Sequence, residues 1–403
     1  MNEKKPGPLQ GLKVIELAHI MAGPVCGLML ADMGADVIKV ERVPSGDDSR
    51  FFTPPEIDGE SAAFMMMNRN KRGIAIDLKS EAGVEVLKTL LKTADVVTEN
   101  YRRGTMEKLG LKYDALRKSN PGLIYCEISG FGRTGPYRDR PGFDLIAQGM
   151  SGLMAITGEA PGKAPCKVGA PVTDITAGIL GALGIVAAYT NRLKTGIGDK
   201  VDTSLFEAGI IHTYWQSAIA LATGVSPQPM GSAHPLNGPY QAFPTADGWI
   251  TVGAANQANW KRLLMVLEVP ELAADSRFHD NSMRMKHRKK LETILSDLFR
   301  QQTSSFWLKK LERGGVPAGP VLDICQMHSD PQVKARQMVI DINHSKIGSV
   351  PTIGLPIKFT NNPGEITSGA PLYGEHTREV LREYNYSEKE IADLIDVGVA
   401  IAC

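Results

Sequence analysis

The sequence predicts an α/β protein in which a large domain built on a parallel sheet is followed by a smaller α+β domain. Three observations carry that expectation. Short apolar runs alternate with helix-patterned segments through the first 135 residues; an Ala/Gly/Met-rich block follows; and a Pro/Gly-rich connection then opens a more polar stretch of strands and helices. At 403 residues the chain exceeds the size at which one hydrophobic core stops growing, so two domains, or one domain carrying an insertion, are the default.

The run VIEL at 14–17 reads as the first strand. A helix over 24–33, the strand VIKV at 37–40, a helix marked by Val84, Leu87 and Leu91, a short strand at 96–97 and the strand GLIYCEIS at 122–129 succeed it. Each strand leads into a polar or Gly-rich turn (AHIMAGP, ERVPSGDD, TENYRRG, GFGRTGP), and open α/β sheets present ligand sites beyond these carboxyl ends. From 145 to 222 the chain is rich in Ala, Gly and Met, with GILGALGIVAAY as one deeply buried, closely packed helix. The connection GVSPQPMGSAHPLNGP at 224–239 breaks the pattern, and the strand GWITVGA with the helices WKRLLMVL and HRKKLETILSDLFR form the second domain. The expected bounds are 1–222 for the large domain, 223–239 for a linker, 240–312 for the small domain and 313–322, containing GVPAGPV, for a second linker. The tail 323–403 (MVIDINH, GSVPTIG, LPIKF and the EKEIADLIDVG helix) is too short to stand alone and is expected to return to the large domain.

Forty-five basic and 44 acidic side chains leave a net charge of +1, which gives no global reason to expect nucleic acid or a membrane as partner, so an anion site has to be a local cluster. Cys26, Cys126, Cys166, Cys325 and Cys403 are scattered without any C-x-x-C, so neither disulfides nor a metal site are expected. The N-terminal MNEKKPGPLQ lacks the pattern of a signal or transit peptide, and no 18-residue apolar run is read in the chain. The expectation is a soluble, cytoplasmic protein.

GFGRTG at 130–135 fits G-x-G-x-x-G, but PYRDRP follows where a dinucleotide fingerprint needs a helix, so a glycine loop around another ligand is expected. G-x-S-x-G, the P-loop and H-E-x-x-H do not occur. The run NRNKR at 68–72, with Arg42, Lys79, Arg102, Arg103 and Lys108, sets cations near several turns. Each alone reads as solvated surface; as a group they suit a polyphosphate. Asp174, in GAPVTDITAGILGALG, admits two readings: T-D ahead of a helix is a capping pattern, and a carboxylate kept ionised by the helix dipole among apolar residues is a nucleophile. On local sequence alone the cap is the favoured reading.

Nearly end to end, the chain resembles the class III CoA-transferase family, the formyl-CoA transferase and carnitine or bile-acid CoA-transferase type. The carriers are GLKVIELAHIMAGPVCGLMLADMGADVIKVERVPSGDDSR, MMNRNKRGIAIDLKS, DVVTENYRRGTMEKLG, ISGFGRTGPYRDRPGFDLIAQGMSGL, APVTDITAG, GVPAGPV and YGEHT. The resemblance implies a Rossmann-like large domain completed by the tail, an interlocked homodimer, and Asp174 as nucleophile. It also implies CoA contacts at Met21, Ala22, Arg42, Lys79, Asn100, Tyr101, Arg102 and Lys108, with Arg140 and Phe143 near the pantetheine end. Coenzyme A or acyl-CoA is then a substrate, with a small carboxylic acid as second substrate and no tightly bound cofactor.

The expected mechanism passes through an aspartyl anhydride and an aspartyl-CoA thioester, with amides around Gly130 and Gly132 receiving the oxyanion. An α-methylacyl-CoA racemase reading loses its acid/base histidine because GFDL places Phe143 there. A silent acyl-CoA-binding protein would keep the basic cluster without needing Asp174. GSAHPLNGPYQAF replaces the glycine run of formate/oxalate enzymes and is similar to the corresponding segment of succinate/glutarate-type enzymes. That likeness implies a dicarboxylate acceptor, succinyl-CoA as donor and His234 near the acyl group.

Overall fold

β-Branched residues build the first sheet. Val14 and Ile15 in β1 (Lys13–Glu16), Val37, Ile38 and Val40 in β2 (Asp36–Arg42), and the later Val96 and Val97 are all buried, the two-faced burial expected of a parallel sheet flanked by helices. The computed structural model describes residues 7–403. After a small hairpin, β3 (Glu56–Ile57) and β4 (Glu60–Ser61), come β5 (Lys71–Ile76), β6 (Val96–Glu99), β7 (Ile124–Ser129) and β8 (Lys200–Ser204). Six strands run parallel in the order β5-β2-β1-β6-β7-β8, with Ile15 of β1 opposite Ile38 on one side and Val97 on the other. This is the doubly wound order whose connections reverse direction between β1 and β6.

The backbone divides into two units. The first gathers the described residues as far as Gly152 with Val168–His212 and Pro331–Cys403; the second comprises Leu153–Lys167 and Thr213–Asp330. Residues 153–167, 213–222 and 323–330, read in the sequence with the large domain, therefore cluster with the second unit. That unit holds an antiparallel sheet of β9 (Tyr240–Pro244), β10 (Trp249–Gly253) and β11 (Ala318–Pro320) around a core including Trp260, Phe278, Leu295 and Phe299. β11 lies inside the stretch 313–322 read as a linker. Its prolines suggested a break, yet it is an edge strand, where a missing N–H is tolerated. In the tail, β12 (Val339–His344) and β13 (Gly348–Ile353) pair as a hairpin, and β14 (Ala400–Ile401) joins β5 antiparallel. LPIKF forms no strand.

The helix Val172–Thr195 corrects two expectations. Its composition does contain an 18-residue window apolar enough to cross a membrane, yet in this structure it lies along the sheet. It is also not buried all round. Ala177, Gly181, Ile185 and Ala188 are covered, whereas Ile179, Leu183 and Leu193 on other faces are 44%, 62% and 70% exposed. Glycine lets the helix Ala22–Asp32 approach it: a Cβ on Gly178 would lie 2.5 Å from the carbonyl oxygen of Ala22 and 2.8 Å from the Val25 side chain. Gly178→Ala is accordingly expected to destabilise the fold by about 1–3 kcal/mol, read as a lower urea midpoint.

Candidate active site

At the reversal between β1 and β6, Asn100 cross-links the two strand ends. Its Oδ1 accepts from the His19 N–H at 2.9 Å and its Nδ2 donates to the His19 carbonyl at 2.8 Å. A cavity of about 590 Å³ opens beside this link, and Arg42, Lys79, Asn100, Tyr101 and Arg102 line it with His19 and Leu78. Met21, directly after the lining residue Ile20, occupies the position before the helix Ala22–Asp32 without giving it a side-chain capping bond. Lys108 closes the short helix Thr105–Lys108, whose Thr105 lines the cavity although Lys108 does not.

Buried charges hold this edge. Lys39 Nζ contacts Glu16 at 3.2 Å, Asp47 at 2.8 Å and the Ala18 carbonyl at 2.8 Å; Lys71 Nζ contacts the same Glu16 at 2.9 Å. The Asp47 carboxylate also accepts from the Ile20 N–H at 3.0 Å, fixing a residue that sits at φ +68°. Burial favours the protonated form of Asp47, but the Lys39 ammonium prevails and holds the carboxyl well below its usual range. Burial and then Lys39 push His19 down to about 4, so it is neutral at pH 7.

The run NRNKR is not a ligand cluster. Arg69 is paired with Asp32 at 2.6 Å, Lys71 with Glu16, and Arg72 with Asp36, Glu379 and Glu383 at 2.7, 2.9 and 2.7 Å. Arg103 is paired with Asp139 at 2.8 Å. The cations at the cavity are Arg42, which also pairs with Asp48, Lys79 and Arg102.

Asp174 is not the cap. The helix Val172–Thr195 begins after Pro171, and Asp174 lies in its first turn. The capping bonds come from another helix, Asp144–Met150: Asp144 Oδ1 accepts from the Thr173 N–H at 3.0 Å and the Thr173 hydroxyl at 2.8 Å. Among the described residues no group donates a hydrogen bond to Asp174, and burial followed by the charge of Asp144 pushes its carboxyl up to about 7. The expectation that the dipole keeps it fully ionised is thus outweighed by desolvation and a like charge. Gly178 is one helical turn further along the same face. That face meets the first turn of Ala22–Asp32, which brings Ala22 to the neighbourhood of Asp174.

The glycine loop is internally occupied. Gly132, at φ +86°, donates its N–H to Ser129 Oγ at 2.9 Å, and the Arg133 N–H goes to Asp202 at 3.1 Å. Gly130 packs so closely on Gly142 that a Cβ would stand 2.6 Å from the Gly142 Cα. The Arg133 side chain reaches Glu99 at 2.8 Å and the Tyr101 carbonyl at 3.0 Å, tying this loop to the cavity wall. Arg140 lies 4.0 Å over the Tyr137 ring, and Phe143, 68% exposed, immediately precedes Asp144. In the second unit His234 stacks on Tyr240 with Trp215 at its edge, and its Nδ1 accepts from the Leu236 and Asn237 N–H groups. Sequence reasoning missed Lys39, Asp47, Arg133 and Asp144 as parts of the site; no local pattern marks a residue whose partners lie tens of positions away.

The sheet is doubly wound, with a cationic cavity at its reversal and a desolvated aspartate in the first turn of the helix Val172–Thr195, and the family model for CoA-transferase family III matches residues 9–377. The chain belongs to that family. It is 41% identical over 395 residues to the succinate–glutarate CoA-transferase of Agrobacterium fabrum, covering 96% of this chain and 98% of that one. It is 36% identical over 400 residues to human succinyl-CoA:glutarate CoA-transferase, covering 99% and 91%. A crystal structure of a CAIB/BAIF family protein from Brucella suis aligns with a TM-score of 0.84 at 40% identity, covering 94% of this chain and all of that one.

Proposed function

We propose that the protein transfers CoA from succinyl-CoA to a dicarboxylate of glutarate type, with Asp174 as nucleophile. One observation carries the reading: a carboxyl pushed up to about 7, with no hydrogen-bond donor among the described residues, in the first turn of a helix that packs on Ala22–Asp32, which directly follows the cavity residues His19 and Ile20 in the chain. The full-length similarity to two succinate/glutarate enzymes supports the substrate pair.

Asp174 attacks the thioester carbonyl of the donor; the carbon–sulfur bond breaks and its electron pair leaves on the CoA sulfur, giving a mixed anhydride. The thiolate then attacks the aspartyl carbonyl, releasing succinate and leaving an aspartyl-CoA thioester, and the acceptor carboxylate repeats the two exchanges in reverse. Each step trades one activated carboxyl for another of similar energy. Arg42, Lys79 and Arg102 neutralise the phosphates, Tyr101 and Leu78 supply apolar cover for the nucleotide base, and Asn100, Met21, Ala22 and Lys108 complete the CoA wall. Arg140 and Phe143 border the pantetheine. Because the Gly132 N–H is engaged, Gly130 and Gly132 shape the loop, and the uncapped first turn of Ala22–Asp32 supplies amides for the oxyanion.

Phe143 in place of a histidine disfavours racemisation. The homodimer belongs to this proposal as well, since the exposed Ile179, Leu183 and Leu193 give a second copy an apolar surface to cover. As only the ionised Asp174 attacks, kcat/KM is expected to fall about tenfold per pH unit below a midpoint near 7, measured with fixed substrates from pH 5 to 9.

The decisive experiment is the intact mass and peptide map after incubation with succinyl-CoA and hydroxylamine, which converts an aspartyl thioester or anhydride into a stable hydroxamate. A modified peptide containing Asp174 is expected. An unmodified protein that still binds CoA overturns the mechanism and favours a silent acyl-CoA binder.

A further inference from the structure

Among the described residues no donor approaches Asp174, yet the residue before it is held twice by one oxygen of Asp144, through the N–H and the hydroxyl of fully buried Thr173. The other Asp144 oxygen accepts from Gln148 Nε2 at 2.8 Å, and Gln148 Oε1 in turn accepts from the Val168 N–H at 2.8 Å. With both oxygens tethered, this carboxylate cannot swing away from the helix start. Thr173 could have been held by a neutral acceptor; here the acceptor is an anion beside the proposed nucleophile.

We propose that Asp144 is the positioning residue of Asp174: it fixes the first turn of the helix Val172–Thr195 and keeps a negative charge whose repulsion is relieved when Asp174 is acylated. The inference rests on Asp174 being the nucleophile. In the first exchange the Asp174 oxygen bonds to the acyl carbon, the carbon–sulfur bond breaks, and the charge formerly on Asp174 departs on the CoA sulfur. A neutral acyl group then stands beside Asp144 where an anion stood before. Like-charge repulsion is present in the free enzyme and absent in the acyl-enzyme, so it favours the covalent state and raises the basicity of the attacking carboxylate.

Other charged groups on the elements packed around this helix are engaged or distant. On Ala22–Asp32 the only acid is Asp32, at the far end and paired with Arg69. On the helix Leu205–Ile211, Glu207 accepts from Ser204 Oγ at 2.7 Å, and His212 beyond its end meets the Thr176 hydroxyl at 2.8 Å. On β7 and β8, Glu127 pairs with Lys200 at 2.6 Å and Asp202 takes the Arg133 N–H. Arg192 and Lys194 on the helix itself lie in its last turn. Among the described residues Asp144 is the one charge that acts on Asp174 besides burial.

The test separates charge from tether. Asp144→Asn keeps an acceptor for Thr173 and deletes the charge; Thr173→Val keeps the charge and deletes one tether; Asp144→Ser removes the charge with a smaller side chain should the first variant fold poorly. Two readouts are taken across pH 4 to 9: kcat/KM, and the urea midpoint of each protein relative to the same protein carrying Asp174→Asn, which reports the ionisation of Asp174 without turnover. A carboxyl raised in the folded state favours folding while protonated, and that advantage is lost as pH rises from the ordinary aspartate value through about 7. Removing the Asp144 charge is expected to move the upper end of that window, and the kinetic midpoint, down by about 1 pH unit. It is also expected to lower the hydroxylamine-trapped fraction several-fold at the plateau. Thr173→Val is expected to leave both midpoints in place while lowering kcat about tenfold. Unchanged midpoints in both neutral Asp144 variants overturn the proposal. A wild type that traps no adduct defeats the nucleophile reading instead, and the urea titration still decides whether the two carboxylates are coupled.

Discussion

Asp174→Ala is expected to fold, to bind CoA and to exchange CoA between succinyl-CoA and glutarate at least about 10⁴-fold more slowly than the wild type. The loss is large because the side chain is the covalent relay: without it the acceptor carboxylate would have to attack the donor thioester directly, and no protein group would hold the activated acyl carbon between the two half-reactions. CoA binding survives because Arg42, Lys79, Asn100, Tyr101 and Arg102 line a cavity to which Asp174 does not contribute. Stability is expected to move the other way. A carboxyl raised to about 7 disfavours folding once ionised, so Asp174→Asn should unfold at a higher urea concentration than the wild type at pH 8 and show little difference at pH 4. Steady-state kinetics, CoA calorimetry and the two denaturation curves check these outcomes together, and a fully active Asp174→Ala would end the nucleophile reading.

Lys39→Met is expected to cost about 3–5 kcal/mol of stability, because it leaves Glu16 and Asp47 buried with their shared cation gone. Lys71 still reaches Glu16, so the uncompensated charge falls chiefly on Asp47. The sign with pH follows from the same residue. Asp47 is held below its ordinary value in the folded wild type, so its contribution is complete above about pH 4 and is lost as pH falls through the folded value. The gap between wild type and Lys39→Met should therefore be widest at neutral pH and narrow in acid. Since Asp47 also anchors the Ile20 N–H at the cavity wall, a higher KM for the acyl-CoA is expected to accompany the loss.

Strands whose burial is continuous were legible in the sequence: VIEL, VIKV and IYCEIS are runs of branched and apolar residues that declare β1, β2 and β7. β5 was not, because it opens with Lys71 and Arg72. Their charges looked like a surface turn, and only the long-range pairing of Lys71 with Glu16 makes a lysine an interior residue. The same blindness affected the basic cluster. The sequence displayed the cations, but Asp32, Asp36 and Glu379, which absorb Arg69 and Arg72, are brought in by the fold. Asp174 was singled out for its setting at the head of an apolar helix, and the family resemblance pointed to the same residue. The local alternative, a cap, failed because Asp144 caps from another helix, which no window around residue 174 contains.

The pairing of β14 with β5 bears on how the molecule is assembled. Ala400 lies opposite Ile76 and Ile401 opposite Ala75, so an edge laid down early along the chain stays open until a segment from its far end arrives. Parallel neighbours such as Tyr125 and Lys200 are likewise distant in sequence. A topology of this kind closes large loops before its contacts reward them, which slows folding and prolongs the life of species with a bare strand edge. Refolding from urea should accordingly be slow, with a yield that falls steeply with protein concentration, and a chaperone that shields the β5 edge should recover it.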